Sequence, residues 1–482
     1  MPDLNESSTR PSLACLLLAC AAFGPYLAAG VRTEQVAVYG MALLVLLSTA
    51  WVTHLPQATG AAKSIMSLMV VQAAALGVGM IGASQVQYVR APGSAASGFD
   101  NLLLPLAVIF TVVTLVGPAR RHATLNAVCT VVVFAACANA TLAWLSTTTD
   151  ASAWLSLWWS HDGGLTDGVW AEQVETGRYT GVFVQPAEAG EFYSVAALAA
   201  VYRLRYRPVL LIAAMAAITV GGLLSVSKVF LFVGVPVAVI QFFVMPGRRA
   251  TRYSIMVVVC YLAAVAATWG HLGRLGITLP TQFAGGGDLD LFTGGRFGGA
   301  GPATVVTGWD LVITYSPIVG FGAAGLSIPY DNGWLEAAVT GGLIGVIAYT
   351  AVFAALIAGC SRLRRAGNAA DLALAYGLIA VALGTSFGLP GTTANRVATV
   401  LWLPLALLLF VPADPAQRSA PPGRHRHDAA QTHLTVSVPA PGDRGRCGGR
   451  PGDEQARGKR DGDAGPATAA VAHARRQVRP PD

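Results

Sequence analysis

Apolar runs of about 20 residues, the length that spans a bilayer as helix, recur along the chain from Ser12 to Pro412 with short polar breaks between them. They run Ser12–Ala29, Val36–Thr53, Ser64–Ser84, Asn101–Val116, Thr124–Leu145, Gly190–Tyr202, Pro208–Leu224, Val229–Met245, Ser254–Trp269, Gly333–Ile357, Leu372–Phe387 and Val397–Val411. This pattern predicts an all-α polytopic membrane protein with about 12 transmembrane helices. Gly190–Tyr202 is short, and Trp309–Leu326 reads as a segment able to dip into a membrane without crossing it. Two breaks are long and polar, residues 146–189 and 270–332. Beyond Pro412 the pattern stops. Residues 413–482 are rich in Ala, Pro, Gly, Arg and Asp and bury too little apolar surface to offset the entropy of ordering. The predicted organisation is a cytoplasmic N-terminus (1–11), a membrane domain (12–412) and a disordered cytoplasmic tail (413–482).

Composition removes the soluble classes: 54% of residues are hydrophobic and 12% charged, where soluble domains carry about 25% charged residues. Charge then orients the chain, because Lys and Arg concentrate in short cytoplasmic loops. An even number of spans with both ends inside puts Arg120/Arg121, Arg203/Arg205/Arg207, Arg248/Arg249/Arg252 and Arg362/Arg364/Arg365 on the cytoplasmic side of a cytoplasmic membrane. The outer loops then hold Arg32, Arg90, Arg178, Lys228, Arg274, Arg296 and Arg396, singly or widely spaced. Arg10 ahead of an apolar stretch also fits a signal peptide, but the even count and the alternation need an uncleaved first span. No outer loop contains a cysteine, so neither a disulfide framework nor a Cys/His zinc spacing is expected. The net charge of +7 arises from topology and tail, and no motif points to nucleic acid.

Polar chemistry concentrates in the two long breaks. Residues 146–189 hold Trp154, Trp158, Trp159, His161 and Trp170 and lead through Glu172, Glu175, Arg178, Gln185 and Glu188 to Glu191 in the next span. The tryptophans suit an aromatic belt at the membrane interface or stacking on sugar faces. Arg178, in Gly177-Arg178-Tyr179-Thr180-Gly181, suits an ion pair with Glu175 or Glu188, or an anionic ligand. Residues 270–332 hold Gly294-Gly295-Arg296-Phe297 and Val319-Gly320-Phe321-Gly322, and end on Tyr330-Asp331-Asn332 at the mouth of a helix that carries Glu336. Dense glycine lets a backbone approach a ligand or marks a mobile surface loop. Asp331 is either a functional carboxylate or the acid that any helix N-terminus favours.

Three elements in one order resemble the O-antigen polymerase and O-antigen ligase family of bacterial membrane glycosyltransferases. They are Arg178-Tyr179-Thr180-Gly181-Val182-Phe183, Pro317-Ile318-Val319-Gly320-Phe321-Gly322, and Asp331-Asn332 followed by nine residues and Gly342-x-x-Gly345. An arginine loop around Arg296 precedes the second, and the resemblance covers about Glu175 to Trp402. The last element is similar to the ligase signature except that Asp331 stands where the ligases have histidine. Polymerases of the family often lack that histidine. The resemblance implies a GT-C-like, metal-independent inverting transferase acting on undecaprenyl-diphosphate-linked sugars at the outer face, without cofactor.

The chemistry such an enzyme needs can be placed on these residues. A departing diphosphate gains negative charge in the transition state and needs fixed cations or a metal. Arginine stays ionised and binds phosphate oxygens through a planar fork, so Arg178 and Arg296 are the expected clamp. The acceptor hydroxyl needs a base, Asp331 first, with Glu191 and Glu188 in reserve. Lys228 and Arg396 either extend the positive field or snorkel to headgroups, and Tyr179, Gln185 and Asn332 complete the expected substrate-binding set. The expected partners are the lipid-linked oligosaccharide, membrane lipids, a flippase and a chain-length regulator. Two alternatives remain: ligase-type transfer to another acceptor, and a flippase or transporter of lipid-linked glycans. The scarcity of charged residues in mid-span favours one-sided enzymology over transport.

Overall fold

The computed structural model describes residues 10–27, 31–83, 95–159, 177–245, 256–257, 305–327, 332–393 and 396–412. Arg296, Asp331, the tail and most of the expected span Ser254–Trp269 lie outside the described residues. Apart from an isolated bridge between Tyr26 and Arg32, every described element is helical. In chain order these are α1 (Leu13–Ala21), α2 (Thr33–Leu47), α3 (Ala50–His54), α4 (Gly60–Ala83), α5 (Ala95–Leu115), α6 (Arg121–Leu145) and α7 (Ser152–Trp159). There follow α8 (Pro186–Leu204), α9 (Pro208–Leu224), α10 (Val235–Val244), α11 (Val305–Tyr315), α12 (Gly333–Arg365), α13 (Ala369–Thr385) and α14 (Arg396–Leu409).

The breaks have local causes. Pro186 and Pro208 open α8 and α9, where the missing N–H has no intrahelical partner in any case. Asn332 and Asn368 cap α12 and α13, their side-chain oxygens accepting from Trp334 N and Leu335 N and from Asp371 N. A π-turn, Phe230–Gly234, precedes α10.

The expectation of about twelve spans is met only in a coarser form. Among the described residues, four helical stretches are long and apolar enough to cross a membrane: Gly60–Ile81, Gly98–Leu115, Pro118–Leu145 and Gly333–Arg365. The α2 stretch and the one from Ala50 to Gln57, bent by 81°, would make a fifth. Other expected spans are shorter helices, among them α9, α13 and α14. For α14 the reason is visible, because its every residue is buried. A helix enclosed by other helices does not have to match the lipid thickness by itself.

The apolar pattern faces outward as well as inward. Leu44, Leu47, Ile81, Phe134, Val209, Ile240, Phe243 and Ile347 are exposed, while Asn139, Gln241, Glu191 and Glu336 are buried. That inversion suits a lipid solvent, in which backbone polar groups must be satisfied within the helices. Helices in lipid associate largely through close packing of small residues. On α8, Gly190 lies against Ser227 and Ser194 against Gly234.

Contacts between helix ends define two poles. At one, the first turns of α6 and α13 meet the ends of α8 and α14 through Arg121, Asp371, Tyr202 and Leu407. At the other, the end of α1 and the starts of α8 and α14 meet through Gly24, Glu188 and Arg396. The first is the arginine pole, which also holds Arg362 bonded to Leu409 O. The second is the carboxylate pole.

Candidate functional site

The Arg178 loop is a fixed piece of backbone. Asn139, a buried polar residue of α6, donates from Nδ2 to Thr180 O (3.1 Å) and accepts at Oδ1 from Val182 N (2.8 Å). The same Nδ2 donates to Tyr193 OH (2.8 Å) on α8. Trp159 Nε1 donates to Gly181 O (2.9 Å), Thr180 Oγ1 to Phe183 O (2.5 Å), and Tyr179 N to Leu224 O (2.8 Å) at the end of α9. Gly181 adopts φ +66°, and a Cβ there would collide with the Asn139 amide. The last of the backbone bonds sets the loop against the turn that follows α9, where Lys228 stands. Arg178 itself is half-buried.

The other two motif elements meet as backbone. Residues 317–322 lie against α12 where Gly342, at φ 58° and ψ −149°, interrupts the helix. The N–H groups of Leu343 and Ile344, deprived of helical partners by the break, donate to Pro317 O (2.8 Å) and Ile318 O (3.2 Å). Phe321 N donates to Val339 O (2.7 Å) on the other side of the break. Gly320 also has positive φ, 66°, and a Cβ there would lie 2.6 Å from Gly342 N. The glycines of these motifs therefore let two backbones touch. Asn332, expected to bind substrate, is the α12 cap, and the capping role open to Asp331 belongs to it instead.

Two clusters of buried charge occupy the carboxylate pole. In the first, Arg32 pairs with Glu34 (3.4 Å) and Asp100 (3.4 Å), and Asp100 also accepts from Gln35 Nε2 and Tyr39 OH. Burial opposes the Arg32 charge, but Glu34, Asp100, Tyr26 and Glu188 outweigh it and hold the guanidinium more firmly protonated than usual. Arg396 belongs to the same cluster. Its backbone N–H donates to Glu188 Oε1 (3.1 Å), its guanidinium to Gly24 O (2.5 Å) and Trp158 O (3.0 Å). In the second cluster Glu336 accepts from Asn101 Nδ2 (2.8 Å) and Thr393 Oγ1 (3.3 Å). It borders a cavity with about 30 Å³ of room for water centres, shared with Gln72, Thr340 and Tyr349. That is enough for a water molecule.

Compared with known proteins, the sequence matches no family model and no curated protein.

The expected site residues thus separate by environment. Arg178 and Lys228 stand on adjoining turns, both half-buried, and Gln185 is exposed at the start of α8. Tyr179 packs its ring among Ala143, Val220 and Leu224. Arg396 is consumed by carbonyls and Glu188 rather than snorkelling to headgroups. Glu191 is fully buried against Gly391, both carboxylate oxygens without a hydrogen-bond partner among the described residues. Trp158 and Trp159 turn their indole N–H groups to Phe23 O and Gly181 O, and Trp154 is exposed. Arg296 and Asp331 lie outside the described residues. Sequence reasoning passed over Glu34, Asp100 and Asn101. The acids stand near helix starts, the one place where an apolar run tolerates them, and that was the signal available. In the sequence Asn139 is an uncharged polar residue in mid-span, with nothing adjacent to link it to the Arg178 loop.

Proposed function

We propose that the chain is a polysaccharide polymerase of the cytoplasmic membrane that joins undecaprenyl-diphosphate-linked oligosaccharide units, with its carboxylate pole outward and both termini cytoplasmic. The observation that carries this reading is the fixing of the Arg178 loop by Asn139, Trp159 and Leu224. A cation meant to receive charge in a transition state must be held before the charge develops, and this loop is held from three helices. Arg32 is paired with Glu34 and Asp100 and Arg396 is held by backbone carbonyls, and in this reading Arg178, with Lys228 beside it and Arg296 from the second long loop of the sequence, supplies the cations for a diphosphate. Asp331, immediately before the Asn332 cap, is the base in this reading, and Glu336, one turn inside the helix, joins the candidates. Among the described residues, every buried carboxylate at this pole lies within the first two turns of its helix, not in mid-span, which favours one-sided chemistry over alternating access.

The test uses purified protein and a polyprenyl-diphosphate oligosaccharide. Wild type should lengthen the glycan, and Arg178→Ala should lower the rate by roughly 10²–10³ at unchanged melting temperature, as for loss of one preorganised donor. Arg178→Lys should rescue poorly, because a point charge lacks the fork. Full activity in both variants would reduce Arg178 to a structural cation. A single transfer to a different acceptor would point to the ligase alternative.

A further inference from the structure

We infer that a groove between the start of α4 and the end of α12 binds the headgroup phosphate of an anionic phospholipid in the leaflet at the arginine pole. The groove encloses about 750 Å³, within the range of about 300–1,000 Å³ typical of ligand sites. Its walls are small: Ala61 and Ser64 from one helix, Ala358 and Gly359 from the other. The floor forms where a Cβ on Gly359 would stand 3.3 Å from that of Ala61. Small walls leave room for the glycerol end of a lipid, and the exposed Ile357 beside them marks this face as lipid-facing.

The rim supplies the charge. Arg362 lines the groove and is positioned by bonds from Nη2 to Leu409 O (2.5 Å) and Val411 O (3.3 Å). Arg365, exposed, stands one turn further along the same side. Lys63, next to Ser64 in sequence, is outside the lining, its Nζ bonded to Pro56 O (2.8 Å). Among the described residues no acidic side chain lines the groove, and Asp371, near in sequence, is committed to Arg121 and Tyr202. Basic pockets between membrane helices on the face richer in Lys and Arg are where anionic headgroups settle. A free phosphate would gain nothing from the alanine walls, so the occupant is the lipid. This site is at the opposite pole from Arg178 and does not depend on the glycan reading.

The experiment counts lipids that remain on the full-length protein by native mass spectrometry after release from vesicles. Phosphatidylglycerol should be retained where phosphatidylcholine is not. Arg365→Ala should weaken retention roughly fivefold, the effect of one surface cation, and Ala358→Leu should remove it by filling the groove. Arg207→Ala, exposed at the same pole outside the groove, should change nothing. If Ala358→Leu does not fold, Arg365→Ala decides alone. Unchanged retention in Arg365→Ala, or an equal fall in Arg207→Ala, would overturn the site. So would protection of residues 413–482 from protease in wild type, lost in Arg365→Ala while the lipid count stays constant, because the tail would then be the occupant.

Discussion

Arg121 and Asp371 form a buried ion pair, Nη2 to Oδ2 at 2.8 Å, between the first turns of two helices 250 positions apart in sequence. Tyr202 OH donates to the other carboxylate oxygen, and Arg121 Nε donates to Leu407 O. The arginine sits at a helix start, where the macrodipole disfavours a cation, and these partners offset that unfavourable placement. Asp371→Ala should lower stability by about 3–5 kcal/mol, because it strands a buried cation. Arg121→Met combined with Asp371→Leu should recover much of that loss. Thermal unfolding in detergent measures both, and a wild-type melting temperature for Asp371→Ala would show that the pair is not held as described.

Gly342 and Gly367 make a matched comparison, since both have positive φ, 58° and 73°. A Cβ on Gly367 meets nothing within 4 Å, whereas one on Gly342 collides with the Ile318 carbonyl. Gly367→Ala should cost only the conformational penalty of about 1–2 kcal/mol. Gly342→Ala should cost clearly more and should also disturb residues 317–322. Equal melting temperatures for the two variants would mean that the contact between the two motifs is dispensable.

Asn139 is the clamp on the Arg178 loop, so its loss should reach the chemistry without touching the arginine. Asn139→Leu leaves Thr180 O and Val182 N without their partner, at a cost of about 1–3 kcal/mol for each buried group left unsatisfied. Glycan elongation should fall as far as in Arg178→Ala, and combining the two changes should add little. Additive losses of activity would show that Asn139 acts on some other part of the site.

Topology can be read across a single helix. Gln185 and Arg207 are exposed at opposite ends of α8, whose 19 residues extend about 28 Å at 1.5 Å per residue. In a chain otherwise free of cysteine, Gln185→Cys should react with an impermeant maleimide in intact cells. Arg207→Cys should react only after permeabilisation. The reverse pattern would put the Arg178 loop in the cytoplasm and remove the substrate proposed for it.

The sequence by itself determined the class of this protein and most of its helix positions. Runs such as Pro208–Leu224 and Thr124–Leu145 are mainly apolar and carry no charge, and the proline and arginine signals at their ends are local, so α6 and α9 could be read without a partner. It also picked out Arg178, Gly320 and Gly342, because their motifs are contiguous. Only the tertiary structure decided what those residues do. Gly342 proved to be a break in α12 filled by residues 317–322, a contact between segments that no periodicity encodes. Asn332 became a cap because the helix begins one residue after it, and Arg396 became an internal strut because Glu188 and Gly24 arrive beside it from distant helices. Burial in a membrane protein is set by which helices enclose which, and two helices of equal hydropathy can lie at the centre or face lipid. That choice is made by packing, and it is why Asn139, one of two amides in a mainly apolar run, turned out to hold the loop on which the proposed chemistry rests.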